Sequence, residues 1–125
     1  MVRSMPKSCL CYSSKPYEDC CEPYHLGLEP PNALALMRSR YCGYAKCNVD
    51  YIQRTQTAPI NKSETLAFCK NTQFTGLTIH SFQDGQEEAF VTFTAHLKQN
   101  GADASFKEKS RFLKIHGCWR YVSAE

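Results

Sequence analysis

Long hydrophobic runs are missing from this sequence. The longest purely aliphatic stretch is ALALM at 33–37, far short of the ~20 apolar residues that a membrane helix needs. The opening residues, MVRSMPKSCLCYSS, hold no apolar segment that could form the core of an export signal. Excess charge is also scarce: 15 Lys and Arg against 12 Asp and Glu leave a net charge of +3. Composition alone therefore does not make the chain a nucleic-acid binder. There is no internal repeat, no low-complexity segment and no C-x-x-C of the thioredoxin kind. The expectation is a cytoplasmic chain of 125 residues, enough for one domain with a real core and a small appendage. Thiols stay reduced in that compartment, which argues against a disulfide framework.

Cysteine is what the sequence does have. Four of its eight cysteines fall within CLCYSSKPYEDCC, residues 9–21, as Cys9, Cys11, Cys20 and Cys21. Cys42, Cys47, Cys69 and Cys118 are scattered singly and read as small core hydrophobes. Zinc takes four thiolates or imidazoles at tetrahedral corners, usually as two close pairs from separate short segments. Cys9 and Cys11 point the same way in an extended stretch, because side chains there alternate with period two. Cys20 and Cys21 lie beyond an eight-residue loop and can both reach one metal if they begin a helical turn. The metal would then fold a segment too small for its own core. One structural zinc per chain is expected on these four sulfurs, with His25 near enough to replace Cys21.

In this setting C-x-C, Ser13, Lys15, Tyr17 and the Cys20-Cys21 pair resemble the SEC-C zinc motif, named for the carboxyl end of the SecA translocation ATPase. KPYEDCCEPYH, ALMRSRY and RSRFLKIHGCWRYV are similar to segments of YchJ-like bacterial proteins. That resemblance implies a zinc knuckle followed by a nuclear transport factor 2-like domain. It also implies docking, since the similar knuckle of SecA contacts a chaperone. The chain departs from the motif at Leu10, where Pro is usual, and at Tyr12 and Ser14, where the motif has Gly on both sides of its serine. Those glycines matter because only Gly takes positive φ at no cost. Relatives often carry a second knuckle at the carboxyl end, and none precedes Glu125 here.

The rest of the chain divides by period. PPN at 30–32 places Asn32 as the N-cap of a helix whose apolar face is Leu34, Met37, Tyr41, Tyr44 and Ala45. NVDYIQRT suggests a short second helix, and Asn61 to Glu64 a capping box that opens a third. Segments 73–82, 88–98, 103–115 and 118–122 read as strands, separated by Asp84-Gly85, Asn100-Gly101 and His116-Gly117. The fold class expected is α+β, an N-terminal zinc knuckle over 1–29 and a cone of helices in a curled antiparallel sheet over 30–125. Two-residue turns would set Ile79 opposite Phe90, Phe93 opposite Glu108, Val91 opposite Ser110 and Phe112 opposite Tyr121.

That register brings His80, Thr78, Glu108 and Ser110 onto the apolar face. A buried carboxylate must protonate or find a cation, and Arg38, within the apolar stripe, is the expected partner of Glu108. The ordinary reading is a structural ion pair; the alternative is a pocket in which Glu108 acts as acid or base beside His80. Lys107, Lys109 and Arg111 alternate on the opposite face with Arg120, as on a solvated sheet, and an anionic partner such as RNA is the alternative there. Lys7, Lys15, Tyr12, Tyr17 and Tyr24 surround the knuckle with charge and amphipathic rings that suit a protein interface. The function expected is a non-enzymatic zinc-binding adaptor docking through Lys15 and Tyr17. The competing expectation is a small-molecule-binding or acid/base protein using Arg38, His80, Glu108 and Ser110.

Overall fold

A computed structural model describes residues 8–125; Lys7 lies outside the described residues. Cys9 and Cys11 open a tight loop closed by Cys9 N–H donating to the Lys15 carbonyl at 2.7 Å, followed by a 3-10 turn over Tyr17–Asp19. Four helices follow: α1 (Glu22–His25), α2 (Ala33–Ala45), α3 (Val49–Arg54) and α4 (Lys62–Lys70). Asn32, Asn48 and Asn61 each cap a helix by accepting from a backbone N–H three residues on, which satisfies a donor the helix start leaves free. Five antiparallel strands complete the chain: β1 (Gln73–Gln83), β2 (Glu88–Gln99), β3 (Ala102–Asp103), β4 (Phe106–Ile115) and β5 (Cys118–Ala124). The sheet order is β1-β2-β4-β5, and β3 continues the β4 side of the hairpin against the end of β2. Sheet and helices thus give the expected α+β fold with a cysteine-rich knuckle at its start.

Two hairpins follow the expected turn chemistry. Asn100-Gly101 and His116-Gly117 all have positive φ, the type I′ geometry that matches strand twist. Phe93 stands opposite Glu108, Val91 opposite Ser110 and Phe112 opposite Tyr121, as counted from the sequence. The first hairpin differs. Gln83 pairs with Phe90 across a longer loop, and Ile79 faces Phe93 instead of Phe90. Two further register shifts occur in β1, between Phe74 and Gly76 and between Ile79 and Ser81. Each bulge inserts one residue and exchanges the two faces. The residues of β1 packed on the core therefore run Phe74, Leu77, Ile79 and Phe82, and the even-numbered Thr78 and His80 turn outward. The hydroxyl of Tyr41 helps hold the first bulge, donating to the Gly76 carbonyl at 2.7 Å and accepting from Gly76 N–H at 3.2 Å.

The main core lies between α2 and the sheet, with Leu36, Met37 and Tyr41 against Val91, Phe93, Leu97, Phe112 and Trp119. Helix α2 is buried on more than that side. Ser39, Cys42 and Gly43 are also buried, facing the knuckle and α3. At Gly43 a Cβ would come within 3.3 Å of the Tyr51 ring, so the glycine permits the close approach of α3. Among the described residues no helix is long and apolar enough to cross a membrane.

Candidate metal centre and inner cavity

The four knuckle sulfurs of Cys9, Cys11, Cys20 and Cys21 lie within 4.8 Å of one another. Zinc–sulfur bonds of about 2.3 Å set tetrahedral sulfur–sulfur edges of about 3.8 Å. Cys11 to Cys20 at 3.5 Å and Cys20 to Cys21 at 3.9 Å are close to that edge. Local structure explains the convergence. Cys20 ends the 3-10 turn and Cys21 is the N-cap of α1, so the adjacent pair does begin a helical turn. Ser13 Oγ sits 3.1 Å from Cys20 Sγ and accepts from Lys15 N–H at 3.3 Å, pinning the loop. Tyr12 and Ser14 have φ of 62° and 71°. The loop keeps the left-handed conformation at both positions where the motif has glycine, although both residues carry a Cβ.

Buried thiols this close compete for protons when no cation is present. Hydrogen bonding to the sulfurs of Cys11, Cys42 and Cys9, together with burial, pushes the Cys21 thiol up. Hydrogen bonds from Cys21 and Cys9 hold the Cys42 thiol down. A divalent cation would relieve this competition by taking the thiolates as ligands. The donor set, its spacing and its burial fit structural zinc. All eight cysteines are free.

His25 is not a spare ligand. Its Nδ1 accepts from the Tyr17 hydroxyl at 2.7 Å and its Nε2–H donates to the Ser39 carbonyl at 2.9 Å. Burial pushes its pKa down, in keeping with a neutral ring. Tyr17, expected on the partner surface, is thereby turned inward, and the Lys46 ammonium stands 4.3 Å from the centre of its ring. Lys15 does expose its side chain, and Tyr24 is half-buried.

The expected pair of Arg38 and Glu108 does not form. Arg38 Nη1 donates to the Cys11 carbonyl at 3.1 Å, on the knuckle side of α2. Arg40, two residues on, is the buried arginine instead. Its guanidinium donates to the Ile52 carbonyl at 3.0 Å, Thr55 Oγ1 at 2.8 Å and Gln56 Oε1 at 2.9 Å. The sequence did carry a signal. Met37, Arg40, Tyr41 and Tyr44 fall at i, i+3, i+4 and i+7, one helix face, while Ala35, Arg38, Ser39 and Cys42 form the opposite one. The stripe of Leu34, Met37 and Tyr41 accounts for only part of a helix that is covered on both sides.

The first of these faces lines a cavity of about 410 Å³ with aromatic walls that include Phe68, Phe93 and Phe106. At its polar end Glu108 Oε2 accepts from Ser110 Oγ and from the Tyr121 hydroxyl. Glu108 and Ser110 thus face inward as expected. His80 does not join them: its Nε2 meets Thr94 Oγ1 at 2.8 Å on the outer face, because the bulge at this point reverses its side. On that outer face Arg111 pairs with Glu88 at 2.7 Å and Arg120 with Glu29 at 2.8 Å. Lys107 and Lys109 are exposed, with the Lys109 ammonium 4.8 Å from the centre of the Phe90 ring.

Comparison with known proteins agrees with this architecture. Residues 32–124 match the family described as YchJ, middle NTF2-like domain. A UPF0225 protein of Deinococcus radiodurans is 39% identical over 120 residues, spanning 94% of this chain and 88% of that one. The solution structure of a SEC-C motif containing protein from Rhodopseudomonas palustris superposes with a TM-score of 0.87 at 30% identity, covering 95% of this chain and 98% of the other. The crystal structure of a SEC-C motif containing protein from Psychrobacter arcticus gives a TM-score of 0.83 at 26% identity, over 94% and 81%.

Proposed function

This chain belongs to the YchJ family, in which an NTF2-like domain forms the middle part, and from that premise we propose that it is a zinc-binding adaptor whose knuckle docks onto a protein partner. Cys9, Cys11, Cys20 and Cys21 would hold the metal, and zinc bound by four thiolates supplies a rigid cross-link with no open position for a substrate. The reading divides the chain into a knuckle over 1–29 and an NTF2-like domain over 30–125. In its support, every residue of the main core lies beyond residue 30, and of the cysteine cluster only Cys42 does.

The observation that carries the reading is where apolar surface remains. Among the described residues, four of the six large hydrophobic side chains left exposed, Leu10, Tyr12, Leu26 and Leu28, belong to the knuckle and its exit, with Leu26 81% and Leu28 61% exposed. Exposed apolar side chains concentrated on one small segment suit a protein interface. Lys15 lies in the same segment, whereas Tyr17 supports the knuckle from within. The test is a pull-down with the zinc-loaded chain and with Leu26→Glu/Leu28→Glu. A protein retained by the first and lost from the second, at equal zinc content and unchanged circular dichroism, is the expected outcome. Equal retention, or no retained protein, overturns the reading.

A second reading rests on the cavity. Apolar walls around Glu108, Ser110 and Tyr121 suit a small molecule with an apolar body and a hydrogen-bonding head, and Glu108 would be its acid or base if it reacts. Ala95, which lines the cavity, offers the test. Ala95→Phe fills the space and should abolish the thermal shift produced by any metabolite that stabilises the wild type. RNA binding through Lys107, Lys109 and Arg111 has less support, since Arg111 is already paired with Glu88.

A further inference from the structure

Five sulfurs, not four, meet beside the knuckle. Cys42, from the last turn of α2, is fully buried in the same cluster as Cys9, Cys11 and Cys21. Its Sγ lies 3.7 Å from Cys9 Sγ, which matches the edge of about 3.8 Å expected between two sulfurs on one zinc. Cys20 is the least buried of the knuckle four, and its sulfur neighbours are Cys11 and Cys21. Zinc accommodates four such ligands, so one of the five is in excess.

We propose that Cys9, Cys11 and Cys21 are the constant ligands and that Cys20 and Cys42 are alternative fourth ligands of the same metal. This rests on the zinc reading above. In one arrangement the metal closes the knuckle on itself. In the other it clamps the knuckle to α2 and hence to the sheet domain. The exchange is a substitution in which one zinc–sulfur bond breaks as another forms. The entering Cys42 thiol gives up its proton and the leaving Cys20 thiolate takes one up, so no oxidant is involved. Cys20 is partly open to solvent, which can deliver that proton, and Ser13 Oγ is in place to hydrogen-bond the sulfur after it leaves.

The geometry of α2 favours a real ligand over a bystander thiol. The same helix face already grips the knuckle, through Arg38 to the Cys11 carbonyl at 3.1 Å and through the Ser39 carbonyl to His25 at 2.9 Å. Cys42 is one turn further along it, at i+4 from Arg38 and i+3 from Ser39. A residue on a well-packed helix is held more rigidly than one at the end of a 3-10 turn, so Cys42 needs little rearrangement to bind.

Cobalt(II) loaded into the full chain tests this, because its absorption reports how many thiolates surround it. Wild type, Cys20→Ser and Cys42→Ser should each bind one metal with a four-thiolate spectrum. Cys20→Ser/Cys42→Ser should fall to a three-thiolate spectrum and lose, in chelator competition, at least the ~10–100-fold typical of even an outer-shell change. A three-thiolate spectrum in Cys20→Ser overturns the proposal, whatever the double variant shows. Cys42→Ala replaces Cys42→Ser should the serine variant misfold, and the Cys20→Ser arm decides by itself. Wild-type protein that holds no metal would instead refute the underlying zinc reading.

Discussion

The guanidinium of Arg40 lies 4.7 Å from the centre of the Tyr121 ring. Tyr121 in turn donates its hydroxyl to Glu108 at 3.3 Å. Helix α2, strand β5 and strand β4 are thus joined at the polar end of the cavity by a cation, a π face and a carboxylate in sequence. Tyr121 N–H also donates to the Thr55 carbonyl at 2.9 Å, and the Tyr121 carbonyl accepts from Thr57 N–H at 3.1 Å. The segment that ends α3 is therefore tied to the strand carrying the ring.

Arg40 rather than Arg38 is the arginine on which stability depends. Removing a buried cation with three acceptors leaves those acceptors without a donor, and Arg40→Met should cost on the order of 3 kcal/mol. Arg38→Met removes one half-buried hydrogen bond and should cost about 1 kcal/mol. Urea unfolding at saturating zinc measures both, and equal losses would contradict the placement of the two side chains.

Ser14→Gly should stabilise the zinc-loaded chain by about 1 kcal/mol, since an L side chain at φ 71° carries a steric cost that glycine avoids. Tyr12→Gly should not show this gain. Its hydroxyl donates to the Phe74 carbonyl at 3.0 Å and its ring packs edge-on against Tyr41 at 6.2 Å, contacts that offset its own positive φ. Thermal melts of the two variants separate these cases.

His25 should make the fold sensitive to mild acid. Burial depresses its folded pKa, so the unfolded chain binds a proton at higher pH than the folded one. The resulting stability is complete above the ordinary histidine value of about 6.5 and declines as pH falls from there toward the depressed folded value. Imidazole chemical shifts of the folded protein should titrate below those of a denatured reference. A titration at the denatured value would remove this contribution.

Stripping zinc should loosen the knuckle without dissolving the sheet. The cysteine cluster shares no residue with the main core, and its metal is the only strong tie proposed within it. In hydrogen exchange, amides of residues 8–25 should lose protection after chelation, whereas those of β2 and β4 keep theirs. Simultaneous loss across the sheet would show that knuckle and domain fold as one unit.

Local chemistry determined a large part of this protein. The C-x-C and C-C spacing identified four sulfurs that do converge. Asn32, Asn48 and Asn61 begin helices because a short polar side chain can reach a backbone N–H three residues ahead. Asn100-Gly101 and His116-Gly117 turn their hairpins because both positions accept positive φ, which set Phe93 against Glu108 and Phe112 against Tyr121. These features depend on neighbours in the chain, and neighbours are what a sequence lists.

Tertiary structure decided the rest. The bulges of β1 reversed Thr78 and His80, and one of them is held by Tyr41, which is 35 residues distant from Gly76. Helix α2 has two buried faces because the knuckle covers the side the sheet leaves open, so Arg40 could be buried and Arg38 turned to Cys11. Cys42, 21 positions beyond Cys21 in sequence, reaches the sulfur cluster only when α2 lies against α1. Each of these depends on which surface packs on which; periodicity groups Met37, Arg40, Tyr41 and Tyr44 on one face of α2, but what covers that face is decided by elements distant in the chain.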